Sequence, residues 1–145
     1  MAANPEHLQD FKTIAFSLNG ETIKAYEDES ILEAARRHGV DIPHLCYKSD
    51  MRADGNCRAC VVEIEGERVL QPSCVRTPTE GMVVHTDNDR TIHSQKMVLE
   101  LLQSDMAESQ YTLNSELDQW SQKLEVGLPR FESRQNPEPD LSHPA

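Results

Sequence analysis

The chain of 145 residues carries a formal net charge of −11, and only 37 % of its residues are apolar. This length supports one domain with a modest core and an appendage. The acidic charge excludes nucleic acid as a partner, because phosphate binding needs a basic surface. No apolar run reaches the roughly 18 residues of a membrane span. Residues 1–10 lack the apolar stretch of a secretory signal, so we expect a cytoplasmic protein.

A β-hairpin is predicted near the N-terminus, after a flexible arm over residues 1–10. In residues 13–18, apolar side chains alternate with small or polar ones, as in a strand with one buried face. The Asn19-Gly20 pair is a strong hairpin signal, because both residue types tolerate a positive φ. A return strand is therefore expected over residues 21–26.

A short helix and a long loop are predicted next. The segment Ser30-Ile-Leu-Glu33 forms a capping box, in which the serine hydroxyl and the glutamate carboxylate bind the first helical N–H groups. Gly39 suits the left-handed residue that ends such a helix. Residues 44–60 show no periodicity, and Gly55 and Asn56 favour tight turns with a positive φ. A loop of this length in so small a domain indicates a functional segment.

Three further strands and a helix are predicted after the loop. Residues 62–65 alternate as a third strand, Gly66 turns the chain, and residues 68–71 return as a fourth strand. Residues 82–85 form a fifth. A helix capped within residues 87–89 runs to about Ser104. Its expected buried side consists of Ile92, Val98, Leu99, Leu101 and Leu102.

Residues 105–127 predict an amphipathic helical extension that Gly127 closes. Its apolar stripe has spacings of four, three and four, and it consists of Leu113, Leu117, Trp120 and Leu124. The stripe either covers the domain's own sheet or docks on a partner subunit. Residues 128–145 contain four prolines and no apolar run, which is typical of an extended tail or linker. The whole pattern predicts an α+β fold with a mixed sheet, one packed helix and C-terminal helices.

The chemistry of the sequence lies in four cysteines. They are Cys46, Cys57, Cys60 and Cys74. Without an export signal, structural disulfides are not expected. Three of the cysteines lie on the long loop or at its edge, and the second hairpin returns the fourth beside Cys60. Four thiolates favour a 2Fe-2S cluster with two cysteines on each iron. From chain order alone, we expect Cys46 and Cys57 to bind one iron, and Cys60 and Cys74 to bind the other.

Other interpretations of these cysteines stay open. A structural zinc site commonly pairs two Cys-x2-Cys knuckles, and only one is present. A thioredoxin-like pair at Cys57 and Cys60 would open a helix, whereas a strand is predicted there. The cysteines are unligated in a third interpretation. His44 and His85 are candidates for tuning or gating electron transfer, and His93 is expected on an exposed helix face. The sequence contains no nucleophile beside a base, no phosphate-binding loop and no acid pair. It therefore predicts no catalytic site.

The cysteine spacing x10, x2, x13 resembles that of one family, the N-terminal 2Fe-2S domain of the large iron-sulfur subunit of NADH:quinone oxidoreductase (respiratory complex I). The same domain opens the α subunit of NAD-dependent formate dehydrogenases and the diaphorase part of NAD-linked hydrogenases. The resemblance covers residues 11–104 and is carried by residues 42–47, 55–63, 72–75 and 81–84. It implies a β-grasp, ferredoxin-like domain that binds a 2Fe-2S cluster through the four cysteines.

The sequence of residues 56–60 and 94–102 is most similar to that of formate dehydrogenase α subunits. This similarity implies a one-electron relay with molybdopterin and/or flavin subunits as partners. The family's following helix usually leads into a His-x3-Cys-x2-Cys-x5-Cys segment for a second cluster, but no cysteine follows Cys74. The chain is therefore expected to be a subunit or an N-terminal module that does not oxidise formate by itself. The alternatives are a stand-alone soluble ferredoxin and a structural metal-binding interaction module.

Overall fold

The computed structural model describes residues 12–106 and 115–132, so the arm predicted over residues 1–10 and the predicted tail beyond residue 132 lie outside the described residues. The chain divides into two compact units, Met1–Gln95 and Lys96–Ala145. The elements are β1 (Thr13–Leu18), β2 (Glu21–Tyr26), α1 (Ile31–Arg37), β3 (Val61–Ile64), β4 (Gln71–Pro72), β5 (Val83–His85), α2 (Asp89–Ser104) and α3 (Glu116–Lys123). No helix in these described ranges has both the length and the apolar character to cross a membrane.

The first unit is built on a mixed five-stranded sheet with the order β2-β1-β5-β3-β4. Strand β1 runs antiparallel to β2 and parallel to β5, while β3 is antiparallel to both β5 and β4. Helix α1 follows the first hairpin, and its buried side joins the same apolar core as the sheet. The predicted α+β fold of the β-grasp type is confirmed.

The first hairpin and α1 form as their local sequence signals predict. Asn19 and Gly20 have φ values of 51° and 89°, and Leu18 pairs with Glu21 across the turn. Both bonds of the capping box at Ser30 are present. The helix ends in a Schellman motif, in which Gly39 has a φ of 79° and its N–H donates to the Arg36 carbonyl.

The fourth strand is shorter than predicted. Instead of residues 68–71, only Gln71 and Pro72 pair with β3, opposite Val62 and Val61. The backbone before them bonds elsewhere, because the carbonyl of Arg68 accepts a hydrogen bond from the Arg90 guanidinium at 2.8 Å.

The buried side of α2 also differs from the prediction. Leu99 is buried as expected, but Leu101 is 46 % exposed, and Ile92, Val98 and Leu102 are half-buried. Two residues along a helix amount to about 200° of rotation, so Leu99 and Leu101 face opposite ways. The buried positions of α2 are Thr91, Gln95, Leu99, Glu100 and Ser104. His93 is exposed, as predicted.

In the second unit, α3 begins at a capping box formed by Ser115 and Asp118. Its end differs from the prediction, because Glu125, with a φ of 52°, is the left-handed residue instead of Gly127. The Glu125 N–H donates to Gln122 and the next N–H donates to the Ser121 carbonyl, which completes a Schellman motif without glycine. Of the predicted stripe, Leu117, Trp120 and Leu124 are half-buried, and Leu113 lies outside the described residues.

Candidate iron-sulfur site

The antiparallel pairing of β3 with β4 brings Cys60 and Cys74 together. Each cysteine flanks one of these strands, and Val61 lies directly opposite Pro72. Ser73 fastens the two segments, since its N–H and its hydroxyl both donate to the Cys60 carbonyl, at 3.0 and 2.7 Å. Cys60 and Cys74 are 1 % and 3 % exposed and belong to the apolar core. The sheet and core therefore fix this pair.

The first turn of α1 holds the chain on both sides of Cys74. The N–H of Ile31 donates to the Arg76 carbonyl at 2.8 Å, and the N–H of Leu32 donates to the Ser73 carbonyl at 3.0 Å. Helical N–H groups at this position have no partner within their own helix, so they are free to bond outside it. The cap of α1 is thus part of the site's frame.

Cys46 and Cys57 lie on the long loop and are half-buried. The N–H of Cys57 points to the Cys46 sulfur at 3.5 Å. Two left-handed residues shape this turn, Gly55 with a φ of 66° and Arg58 with a φ of 61°. A Cβ atom on Gly55 would lie 3.4 Å from both methyl groups of Val75, so this turn packs beside the turn that carries Cys74.

Cys46 and Cys74, one from each pair, differ in their electrostatics. Burial, together with the neighbouring Cys60, Cys46 and Cys57, raises the pKa of the Cys74 thiol to about 12. Burial also acts to raise the pKa of Cys46, but hydrogen bonds from Cys57 and from the Asn56 N–H outweigh it and lower that pKa. The Cys46 sulfur is therefore prepared to carry negative charge before any metal binds.

The candidate tuning residues take up separate positions. The Nδ1 atom of His44 lies 2.8 Å from the Ile42 carbonyl, and its ring meets the Tyr47 ring edge-on at 5.8 Å. His44 therefore lies next to the Cys46 segment. His85, on β5, instead pairs with Glu65, with 2.8 Å between its Nε2 atom and a carboxylate oxygen.

Charged side chains surround the cysteine segments, and the loop from Cys46 to Cys60 holds three basic and two acidic residues. Lys48, Arg52 and Arg58 are all exposed along the loop. Arg76, two residues after Cys74, binds the Glu67 carboxylate at 2.5 Å. The loop from Cys46 to Cys60 therefore carries more basic than acidic side chains, in contrast with the acidic chain as a whole.

The donor set fits a 2Fe-2S cluster. Four thiols come from two segments. The N–H of Cys57 points to the Cys46 sulfur, and Ser73 joins the segments of Cys60 and Cys74. In residues 12–106 and 115–132, no three His, Cys, Asp or Glu side chains converge on a position for a single metal ion. A 2Fe-2S cluster takes two cysteine ligands on each of two irons, and four thiols supply that number.

Sequence reasoning missed several residues that build this site. The sequence assigns Glu33 only to the cap of α1, but it also accepts a hydrogen bond from the Tyr47 hydroxyl at 2.8 Å. Gln95 is buried and donates to the carbonyl of Val61, the residue after Cys60. Both contacts join residues far apart in the chain, so no local signal indicates them.

Comparison with known proteins reveals a family match and several relatives. Residues 12–89 match the family model described as a 2Fe-2S iron-sulfur cluster binding domain. The chain is 41 % identical over 97 residues to the NADP-reducing hydrogenase subunit HndD of Solidesulfovibrio fructosivorans. It is 35 % identical over 89 residues to a subunit of the NADH-quinone oxidoreductase of Rickettsia prowazekii. These matches cover 63 % and 61 % of this chain, but only 17 % and 13 % of the relatives.

A solved structure resembles this chain as well. It is the crystal structure of an NAD+-reducing NiFe hydrogenase in the H2-reduced state, with a TM-score of 0.78 and 27 % sequence identity. The match covers 90 % of this chain and 57 % of the hydrogenase chain. The chain therefore spans only part of the length of each of these three proteins.

Proposed function

The chain belongs to the 2Fe-2S iron-sulfur cluster binding domain family, and from that membership we propose that it transfers single electrons within a multi-subunit oxidoreductase linked to NAD or NADP. The proposal rests on the gathering of four thiols from the long loop and from the end of β4. When bound, a 2Fe-2S cluster accepts and releases one electron at a time.

The proposed ligands are Cys46, Cys57, Cys60 and Cys74, with Cys46 and Cys57 on one iron and Cys60 and Cys74 on the other. The N–H of Cys57 at the Cys46 sulfur, and the pairing of β3 with β4 beside Cys60 and Cys74, support this division. The N–H groups of Cys57 and Asn56 stabilise negative charge on the Cys46 sulfur. The burial of Cys60 and Cys74 excludes water from the opposite side.

Electrons enter and leave on the side of Cys46 and Cys57 in this proposal. These two cysteines are half-buried, whereas Cys60 and Cys74 are enclosed by the core. Lys48, Arg52 and Arg58 are exposed along the same loop. Their positive charges favour a partner with an acidic face and increase its rate of association at low salt.

Membership of a larger complex is supported by the relatives. One is a subunit of a hydrogenase and another is a subunit of NADH-quinone oxidoreductase, and this chain spans only a fraction of each. The narrower prediction of a formate dehydrogenase, with molybdopterin or flavin subunits, rests on residues 56–60 and 94–102 and stays a prediction. So does the cytoplasmic location.

A reductive titration followed by EPR tests the proposed electron transfer. The chain is purified without oxygen and reduced stepwise between about 0 and −500 mV, within the range of iron-sulfur clusters. We expect one electron per chain and a rhombic signal from the reduced state. A metal-bound protein that takes up no electron in this range would instead support the structural interaction module.

The complex is identified by mild purification of a tagged chain from its native host. The co-purifying material is assayed for dye reduction with formate, with hydrogen and with NADH. Formate-dependent reduction would support the narrower prediction, whereas hydrogen-dependent reduction would replace it. A chain that purifies without other subunits, with its cluster in the reduced state, would support the stand-alone ferredoxin.

A further inference from the structure

Glu33 uses its two carboxylate oxygens for two different tasks. One oxygen accepts hydrogen bonds from the N–H of Ser30 at 3.0 Å and from the Ser30 hydroxyl at 2.9 Å, and so completes the cap of α1. The other accepts a hydrogen bond from the Tyr47 hydroxyl at 2.8 Å. One carboxylate therefore joins the helix cap to the residue that follows Cys46.

The same helical turn also holds the chain around Cys74. The N–H groups of Ile31 and Leu32 donate to the carbonyls of Arg76 and Ser73. The cap of α1 thus contacts residues next to Cys46 through Glu33, and residues next to Cys74 through its backbone. These two cysteines are assigned to different irons in the proposed site.

The Tyr47 side chain is well suited to transmit this constraint. Its ring packs against the apolar core and meets the His44 ring edge-on at 5.8 Å, so the hydroxyl is held in one direction. Burial opposes the charge on Glu33, but hydrogen bonds from Ser30 and Tyr47 outweigh burial and hold its pKa below the usual value. The carboxylate is therefore charged at neutral pH, and hydrogen bonds to a charged group are stronger than neutral ones.

We propose that Glu33 is a positioning residue for the cluster site. Through the cap of α1, it fixes the Cys46 segment relative to the Cys74 turn. This inference rests on the proposed function, since it assumes that the four cysteines share one cluster. The hydrogen bonds of the Glu33 side chain are to Ser30 and Tyr47, so it acts through Tyr47 and the helix cap.

Two substitutions isolate this hydrogen bond. Tyr47→Phe removes the hydroxyl but keeps the ring and leaves the capping box untouched. Glu33→Gln keeps a side chain that completes a capping box but removes the charge. Asp118→Asn is the matched control, because Asp118 holds the equivalent place in the cap of α3. If Glu33→Gln impairs folding, Tyr47→Phe alone decides the question.

The holoprotein is measured in two ways, by the EPR spectrum of the reduced state and by the rate at which a chelator removes iron. We expect Tyr47→Phe and Glu33→Gln to shift the EPR g values in the same direction and to speed iron release roughly tenfold, the effect of one charged hydrogen bond. The double variant should release iron no faster than the faster single variant, because both changes weaken the same hydrogen bond. Asp118→Asn should match the wild type in both measurements.

The inference is overturned if Tyr47→Phe keeps the wild-type spectrum and release rate, or if the two effects multiply in the double variant. Hydrogen exchange of the apoprotein gives a reading that does not depend on the cluster. The amides of residues 45–49 should exchange faster in Tyr47→Phe and Glu33→Gln than in Asp118→Asn. If wild-type protein binds no iron while this difference persists, the proposed function fails but the connection between Glu33 and Tyr47 stands.

Discussion

The two cysteine pairs are held by different parts of the molecule. Cys60 and Cys74 flank paired strands, are 1 % and 3 % exposed, and belong to the apolar core. Cys46 and Cys57 are half-buried on an irregular loop, where turns and hydrogen bonds fix them. The sheet, the core and the first turn of α1 therefore position one pair, while the other depends on contacts made by the loop. The predictions below test this difference and the contacts that produce it.

The largest expected difference is in the alkylation of the apoprotein by iodoacetamide. The thiolate is the reactive form, so a raised pKa slows the reaction and a lowered pKa speeds it. With a pKa raised from the usual 9.0 to about 12, Cys74 has about a thousandfold less thiolate at pH 8, since each unit is a factor of ten. Cys46, with its lowered pKa, should react first, and its rate should level off at a lower pH than that of an ordinary cysteine.

Peptide mass spectrometry of partly labelled protein measures both rates. The Cys74 rate should rise about tenfold per pH unit up to strongly alkaline pH. Equal labelling of Cys46 and Cys74 at pH 8 would contradict the predicted difference in pKa between these two thiols.

The next effect concerns the stability of the apoprotein. Cys60→Ser places a hydroxyl in the apolar core and should lower the free energy of unfolding by about 1–3 kcal/mol. Cys57→Ser makes the same chemical change on the half-buried loop and should alter it by less than about 0.5 kcal/mol. Urea denaturation of both apoproteins measures the difference, and both variants should fail to hold a normal cluster. Equal destabilisation by the two changes would mean that the core does not fix the Cys60 pair.

Substitutions at two glycines test the turn at Gly55, where the loop of Cys57 meets the turn of Cys74. Gly55→Ala adds a methyl group 3.4 Å from the Val75 side chain at a φ of 66°, and should cost about 1–2 kcal/mol and speed iron release. Gly66→Ala is the matched control, because it has a φ of 85° with open space around it. It should cost a similar backbone strain without changing iron release. Iron release that responds equally to both changes would assign the effect to general destabilisation.

The smallest predicted effect belongs to Ser73, which binds the Cys60 carbonyl. Ser73→Ala removes one buried hydrogen bond and should lower the free energy of unfolding by about 1 kcal/mol. Ser104→Ala removes a comparable contact, a 2.6 Å bond to the Leu101 carbonyl, and is the control for cluster effects. Only the change at Ser73 should alter the EPR spectrum of the reduced protein. An altered spectrum from Ser104→Ala would contradict a local role for Ser73.

The sequence predicted best what depends on neighbouring residues. The Asn19-Gly20 turn, the Ser30 cap and the end of α1 at Gly39 each depend on a few adjacent residues, and all three are confirmed. The fourth strand is present but shorter than predicted, since Arg90, from α2, takes the Arg68 carbonyl.

The features of the candidate site also divide into those that the sequence predicted and those that it did not. The hairpin geometry that returns Cys74 beside Cys60 was predictable from spacing, because strand pairing is regular. The left-handed conformation of Arg58 was not, since an arginine carries no signal for a positive φ. The hydrogen bond between Glu33 and Tyr47 was equally hidden, because it joins two elements that meet only in the folded chain.

The central claim is that four thiols hold one 2Fe-2S cluster. Iron, acid-labile sulfide and zinc are counted in anaerobically purified wild-type protein and in four variants that each replace one cysteine by serine. The account predicts about two irons and two sulfides per wild-type chain, no stoichiometric zinc, and a lost or altered cluster in every variant. One zinc per chain without sulfide, or a variant with an unaltered cluster, would contradict it.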